Sequence, residues 1–116
     1  MKQNISVLLY EKEKILNSIL KYQISNHNNI EVFASEKYEE LNKIIINRSF
    51  DAYILNLNNL GADSKNFFKI LRSKNECANI IAYQEALVNK MIDNLGKLYL
   101  LDKPFKLITL LDYLDI

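Results

Sequence analysis

The sequence predicts a single α/β domain in which a parallel β-sheet is covered by helices on both faces. Short apolar segments alternate with segments of helical spacing along the whole chain. The apolar segments are apolar at nearly every position, which indicates strands that are buried on both faces. The 116 residues have the length of one domain and contain no linker or repeat, so residues 1–116 are predicted to form one unit.

The five predicted strands are the short apolar runs. They cover residues 5–10 (ISVLLY), 30–34 (IEVFA), 51–57 (DAYILNL), 79–83 (NIIAY) and 98–101 (LYLL). Strands connected through helices in this way form right-handed crossovers and run parallel. The functional crevice of such a sheet lies at the carboxyl ends of its strands. We therefore expect the site in the loops at residues 10–13, 56–61 and 84–85, with Lys103 after the fifth strand.

The predicted helices follow the strands, and each has apolar residues at intervals of three and four. They cover residues 12–24, a second segment that starts near Ser35, a third that starts at Ser64, residues 86–95, which end at Gly96, and residues 106–114. Ser35 is predicted to cap the second helix, with Glu36 in its first turn. The residues predicted to face the core are Ile15, Leu16, Ile19, Leu20, Ile24, Tyr38, Leu41, Ile44, Ile45, Phe67, Phe68 and Leu71.

Charge and cysteine content argue against several kinds of protein. The net charge of +1 gives no strong field for nucleic acid or an anionic membrane. Cys77 is the single cysteine, so no internal disulfide forms, and we expect it to be a small buried side chain. No apolar run approaches the ~20 residues that a membrane helix needs. We expect a cytoplasmic protein.

Three stretches carry a resemblance to a known family. They are "VLLYEKEKILNSIL", "DAYILNLNNLGADS" and "LLDKPFKLITLL", the last with Lys103, Pro104 and Phe105 in sequence. In this register the whole chain resembles the receiver domain of two-component response regulators. The resemblance implies a flavodoxin-like (βα)5 fold, a doubly wound three-layer sandwich with a five-stranded parallel sheet of order 2-1-3-4-5.

The family's chemistry, as the resemblance implies it, is phosphoryl transfer from a partner histidine kinase to an aspartate that ends the third strand. The transfer is assisted by a divalent cation and by an acidic pair after the first strand. It also uses a hydroxyl after the fourth strand and a lysine after the fifth. Here the aspartate position is Asn56, and the acidic pair reads Glu11 and Lys12. The hydroxyl position is Gln84. Besides Glu11, which keeps one acid of the pair, Lys103 survives along with Asn58, whose backbone carbonyl is expected to face the site. The resemblance therefore predicts a degenerate phosphorylation site and no enzyme activity.

The charges at this degenerate site predict weak or absent Mg²⁺ binding. Glu11 carries one negative charge, while Lys12 and Lys103 carry two positive charges, a sum of about +1 at neutral pH. A net positive site repels a divalent cation. We expect the Lys12 ammonium to take the place of the metal, where it would pair with Glu11 and hydrogen-bond to the carbonyl oxygen of Asn56. No cofactor is predicted.

The tail of the chain predicts a dimer face, because family members often dimerise through the helix at residues 86–95, the fifth strand and the last helix. An apolar centre with a charged edge is typical of an interface. The tail "KPFKLITLL" also resembles receivers that precede a winged-helix DNA-binding domain. The chain end at "LDYLDI" is expected of one part of a longer protein or of a divergent stand-alone receiver. The residues predicted for this face are Lys90, Leu100, Ile108, Leu111 and Tyr113.

The function that follows is a phosphorylation-independent signalling receiver that contacts proteins, pairs with itself and governs a DNA-binding output outside this chain. Two alternatives stay open. One is a conventional phosphoacceptor that uses a substitute acid such as Asp63, although Asp51 and Asp63 have sufficient roles at turns and caps. The other is a module that binds a small ligand in the doubly wound crevice, although the chain has only Gly61 and Gly96 and hence no glycine-rich loop.

Overall fold

A computed structural model of the chain describes residues 5–27, 29–60, 64–75, 77–84 and 98–102. The predicted helices at residues 86–95 and 106–114 lie outside these ranges. The strands are β1 (Ile5–Tyr10), β2 (Ile30–Ser35), β3 (Ala52–Asn56), β4 (Asn79–Gln84) and β5 (Leu98–Asp102). The helices are α1 (Lys14–Ser25), α2 (Tyr38–Asn47), the short α3 (Leu57–Leu60) and α4 (Ser64–Lys74). Each described strand lies within two residues of its predicted bounds.

The strands form one parallel sheet, as the sequence predicts. β1 lies between β2 and β3, with Val7 beside both Val32 and Ala52. β4 pairs with the other side of β3, where Asn56 lies opposite Tyr83. The order β2-β1-β3-β4 is thus the predicted one, and β5 pairs with the outer edge of β4. The order places the carboxyl ends of β1 and β3 side by side.

Two hydrophobic cores, one on each face of the sheet, explain why the strands are apolar throughout. On one face, Leu8, Tyr53 and Ile80 belong to a cluster that also contains side chains of α2 and α4. On the other face, Leu9, Ile54 and Ile81 belong to a cluster that includes side chains of α1. Alternate residues of one strand therefore enter different cores, which is the pattern of a doubly wound sheet. The side chains that α2 and α4 contribute are Leu41, Ile45, Phe67, Phe68 and Leu71.

Helix α1 buries a different stripe from the predicted one. Leu20 and Ile24 are buried as expected, but Ile15 and Ile19 are exposed. Asn17 is buried instead, at the helical spacing that Leu20 and Ile24 share. The buried Asn17 amide binds backbone groups at the ends of two strands, so this polar residue has partners on the inner face of the helix. The spacing of apolar residues alone does not predict a buried asparagine of this kind.

Two local predictions are wrong. Helix α2 begins at Tyr38 after Lys37 and has no side-chain cap, whereas Ser35 ends β2 and its hydroxyl donates to the Lys37 carbonyl oxygen. The acidic residues of the first turn are Glu39 and Glu40, not Glu36. Cys77 is exposed rather than buried, because it lies in the turn between α4 and β4. Within the described ranges, no helix is both long and apolar enough to cross a membrane.

Candidate functional site

The candidate site lies where β1, β3 and β4 end. Glu11 directly follows β1, Asn56 is the last residue of β3, and Tyr83 is the second-last residue of β4. All three side chains are buried, and they are joined by hydrogen bonds. We call these residues the Glu11 network. The sequence predicts Glu11 and Asn56 at one site, and the structure brings them together.

The Glu11 carboxylate is buried and accepts hydrogen bonds from protein groups. The residue is only 1% exposed. Its Oε1 accepts a hydrogen bond from Asn56 Nδ2 at 2.8 Å and another from the Tyr83 hydroxyl. Its Oε2 accepts one from the Glu13 backbone N–H at 2.8 Å. Hydrogen bonds to a charged group are the stronger kind, so these donors offset the cost of burying the carboxylate.

Asn56 has its amide orientation fixed at both ends. Its Nδ2 faces Glu11, and its Oδ1 accepts the Asn58 backbone N–H at 3.0 Å, which caps the start of α3. The opposite orientation would place a carbonyl oxygen against a carboxylate oxygen and leave the Asn58 N–H facing an N–H group. At 4% exposure, Asn56 presents a neutral amide at the end of β3.

Tyr83 is a site residue that sequence reasoning missed. Its side chain is fully buried in the core that α1 covers, and only its hydroxyl reaches the site. Burial above all, and then the hydrogen bond to Glu11, raise the pKa of Tyr83 far above its ordinary value. The hydroxyl is therefore a fixed neutral donor. The available signal was a tyrosine at the end of an apolar strand, because a buried tyrosine hydroxyl needs a partner.

Asn17 is the second site residue that sequence reasoning missed, and it binds the backbone that carries Glu11. Its Nδ2 donates to the backbone oxygen of Glu11 at 2.9 Å and to that of Ser35 at 3.0 Å. The Glu11 N–H in turn donates to the Ser35 oxygen at 3.2 Å. The ends of β1 and β2 are thus tied together beneath the carboxylate. The signal was an asparagine at the spacing of the buried stripe of α1.

The structure corrects the role predicted for Lys12. The Lys12 side chain is exposed, and its backbone N–H donates to Asn59 Oδ1 at 3.0 Å. Asn56 and Tyr83 supply the donors to Glu11 that Lys12 was expected to supply, and the carbonyl oxygen of Asn56 is bound to Asn58. The reason is physical, since a neutral hydroxyl is much cheaper to bury than an ammonium.

The remaining predicted residues are placed only in part. Gln84 ends β4 and lies opposite Asp102 of β5, while Lys103 is outside the described residues, as is Asp63. Asp51 directly precedes β3, at the amino ends of the strands, where its Oδ2 accepts the Ser6 backbone N–H at 2.9 Å. It is therefore remote from the end of β3, and its side chain binds Ser6 of β1 rather than taking the turn or capping role predicted for it.

The Glu11 network does not fit the divalent cation that the fold family implies. Mg²⁺ requires oxygen ligands in near-octahedral geometry. Asn56 turns an N–H rather than an oxygen towards Glu11, and Glu11 Oε1 already accepts two hydrogen bonds. Across the described part of the chain, no group of three or more His, Cys, Asp or Glu residues is arranged to hold a metal. The donor set is that of an internal hydrogen-bond network.

Comparison with solved structures identifies proteins of the same fold. A response regulator receiver domain (CheY-like) from Methylobacillus flagellatus has a TM-score of 0.78 and 16% identity over 97% of this chain and 98% of that chain. Response regulator TrrA from Thermotoga maritima, solved in complex with Mg²⁺-BeF, has a TM-score of 0.77 and 18% identity over 96% of each chain.

A crystal structure of histidine kinase ThkA in complex with TrrA has a TM-score of 0.76 and 20% identity, over 96% of both chains. No protein-family model and no curated protein matches the sequence. These likenesses establish a CheY-like, flavodoxin-like α/β fold.

Proposed function

We propose that this chain is a receiver-type signalling domain that works through protein contacts and does not accept a phosphoryl group. The fold supports the receiver class, because response regulator receiver domains are similar over nearly the whole chain. The observation that carries the rest is Asn56, a buried amide held on the Glu11 carboxylate at the end of β3. The proposal includes a cytoplasmic location.

The chemistry of the Glu11 network supports independence from phosphorylation. Attack on phosphorus needs a carboxylate oxygen with free lone pairs and a cation that offsets the incoming charge. Asn56 is neutral, and its Oδ1 accepts the Asn58 N–H. Glu11 carries the negative charge but is enclosed at 1% exposure. Neither group combines the nucleophilicity and the access that phosphoryl transfer requires.

The test is incubation of the protein with acetyl phosphate and Mg²⁺, followed by intact-mass measurement. We expect no mass increase corresponding to a phosphoryl group. Isothermal titration with Mg²⁺ alone should show no binding with a dissociation constant in the millimolar range or lower. TrrA from Thermotoga maritima, solved with Mg²⁺-BeF, serves as the positive control for the Mg²⁺ titration. A phosphorylated product would overturn the proposal, and peptide mapping would show whether a substitute acid such as Asp63 had accepted the group.

The exposed face of α1 supports the protein-contact part of the proposal. Ile15, Ile19 and Tyr22 are 70%, 46% and 69% exposed, and their spacing places them on one side of the helix. Apolar side chains grouped on a surface indicate an interaction site. Among the similar structures, TrrA is seen in complex with histidine kinase ThkA. By extension, we place the partner of this chain among the proteins of two-component signalling.

Self-association and a DNA-binding output complete the proposal. The predicted dimer face combines Leu100 of β5 with Lys90, Ile108, Leu111 and Tyr113, which lie outside the described residues. The support is the sequence pattern of an apolar centre and a charged rim. Sedimentation equilibrium over a concentration series tests the dimer, and a monomer at all concentrations would contradict it. Sequencing the gene beyond Ile116 tests the output domain.

A further inference from the structure

We propose that Tyr83 closes the cation position beside Glu11, so that restoring a carboxylate at residue 56 alone does not restore a divalent-cation site. The inference rests on the proposed function, since it explains why the site would have become independent of a metal. It assigns the loss to two residues on adjacent strands, Asn56 and Tyr83, rather than to Asn56 alone. The two residues lie opposite each other in the β3–β4 register.

The first step of the argument is that Asn56 and Tyr83 bind the same atom. Both donate to Glu11 Oε1, the carboxylate oxygen that faces the end of β3. The other oxygen, Oε2, faces the Glu13 backbone N–H, which no side-chain substitution removes. A cation that approaches from the end of β3 must therefore compete for Oε1. Removing one donor still leaves the other in place.

The second step is that Tyr83 cannot readily move aside. Its ring is fully buried in the core that also contains Leu9, Ile54 and Ile81. Such cores are close-packed, so a rotation of the ring would displace its neighbours. The hydroxyl is thus held on Glu11 by packing as well as by the hydrogen bond.

The third step is the effect of Asn56→Asp. The substitution places a second carboxylate within hydrogen-bond distance of Glu11 Oε1, since the present contact is 2.8 Å. Two carboxylates at this distance repel, so the substitution by itself adds an unfavourable contact. While the Tyr83 hydroxyl still occupies Oε1, the cation must displace it before it gains both carboxylates. The single variant is therefore expected to bind Mg²⁺ poorly.

The experiment compares Mg²⁺ titrations of the full chain with Asn56→Asp, Asn56→Asp/Tyr83→Phe and Asn56→Asp/Tyr53→Phe. The first double variant should bind Mg²⁺ about tenfold or more tightly than the single variant, in line with the loss of one competing hydrogen bond to a charged group. Tyr53 is the matched control. It is also a fully buried tyrosine, but its hydroxyl accepts the Phe50 backbone N–H at 3.0 Å, away from the site. Its double variant should bind like Asn56→Asp.

The inference is overturned if Asn56→Asp binds Mg²⁺ as tightly as Asn56→Asp/Tyr83→Phe, or if neither variant binds it. Circular dichroism checks that each variant is folded. If the phenylalanine variant is not folded, Asn56→Asp/Tyr83→Leu also removes the hydroxyl and should show the same gain. Failure of the proposed function is distinguishable, because it would appear as Mg²⁺ binding or phosphorylation of the unmodified chain.

Discussion

At the scale of single residues, Asn17 ties β1 and β2 together beneath Glu11, and its removal is the first prediction. Asn17→Ala leaves the Glu11 and Ser35 carbonyl oxygens without the amide that bonds both. We expect the free energy of unfolding to fall by about 1–3 kcal/mol, as for other buried groups that lose a partner. Urea denaturation monitored by circular dichroism measures the change.

Asn47 provides the matched control for Asn17. It is exposed at the end of α2, and its Nδ2 donates to the Lys43 carbonyl oxygen within the same helix. Asn47→Ala should change the free energy of unfolding by roughly 0.5 kcal/mol or less, as surface substitutions usually do. Equal effects of the two variants would show that Asn17 contributes nothing particular to the site.

Tyr83 gives a prediction about pH. Burial, followed by the hydrogen bond to Glu11, raises the pKa of Tyr83 in the folded protein. Above about pH 10, where an ordinary tyrosine ionises, the unfolded chain releases this proton while the folded chain keeps it. The contribution of Tyr83 to the free energy of unfolding is therefore fully present below about pH 10. As the pH rises further, this contribution is lost at up to about 1.4 kcal/mol per pH unit.

Tyr83→Phe should show a shallower loss of stability than the unmodified protein in urea denaturation between about pH 9 and pH 11. A residual slope is expected, since burial also raises the pKa of Tyr10 and of Tyr53. If the pH dependence of stability is unchanged in Tyr83→Phe, then Tyr83 is not a buried hydrogen-bond donor to Glu11.

The sequence predicts the neighbours Glu11 and Asn56 but not the contacts between them. Both residues follow from the strand ends, because parallel strands bring their carboxyl ends together. Lys12 was assigned to the site by the family resemblance and was expected to pair with Glu11 through its charge. Its side chain is exposed, whereas Tyr83 belongs to the site. The opposite charges of Lys12 and Glu11 suggest an ion pair, but burying the ammonium would cost more in lost hydration than the pair would gain. The strand pattern alone does not locate a hydroxyl at the tip of a core tyrosine.

At the scale of secondary-structure elements, α1 has an inner and an outer face that respond differently to the same substitution. Ile24 is fully buried in one of the cores, whereas Ile15 is 70% exposed. Ile24→Ala should lower the free energy of unfolding by about 2–5 kcal/mol through lost burial and the cavity it leaves. Ile15→Ala should change it by roughly 0.5 kcal/mol or less.

The measurement for α1 is thermal and urea denaturation of the two isoleucine variants side by side. Similar losses for both would mean that the outer face of α1 is covered in the folded domain. If Ile15 serves protein contact instead, Ile15→Ala lowers affinity for a partner while stability is retained. The pair therefore separates a structural role from an interaction role on a single helix.

Element ends were harder to predict than element identities. The strands are indicated by runs of apolar residues, and two-sided burial leaves little freedom in where they lie. The cap of α2 was predicted two residues too early, because Ser35 resembles a cap but continues β2 as its last residue. The short helix α3 was not predicted. Its capping contact is made by Asn56, whose dual role depends on the position of Glu11.

At the scale of the whole molecule, the fold is shared with proteins of low sequence identity. Receiver domains with TM-scores of 0.76 to 0.78 share only 16% to 20% of residues with this chain. The sheet requires apolar strands and amphipathic helices, which many sequences supply. The loops at the strand ends are under no such packing constraint. The receiver-like fold therefore places few constraints on the residues at the strand ends.

Insensitivity to beryllofluoride is the prediction that belongs to the whole molecule. This reagent mimics an acyl phosphate and needs a carboxylate together with a divalent cation, whereas Asn56 offers an amide whose Oδ1 binds the Asn58 N–H. A ligand shifts a conformational equilibrium only by its difference in affinity for the two states, so a ligand that does not bind shifts nothing. Sedimentation velocity of this chain should be identical with and without beryllofluoride and Mg²⁺. TrrA, solved with Mg²⁺-BeF, confirms that the reagent is active. A change in the sedimentation coefficient of this chain would mean that the end of β3 still binds a phosphoryl mimic, and the phosphorylation-independent function would be wrong.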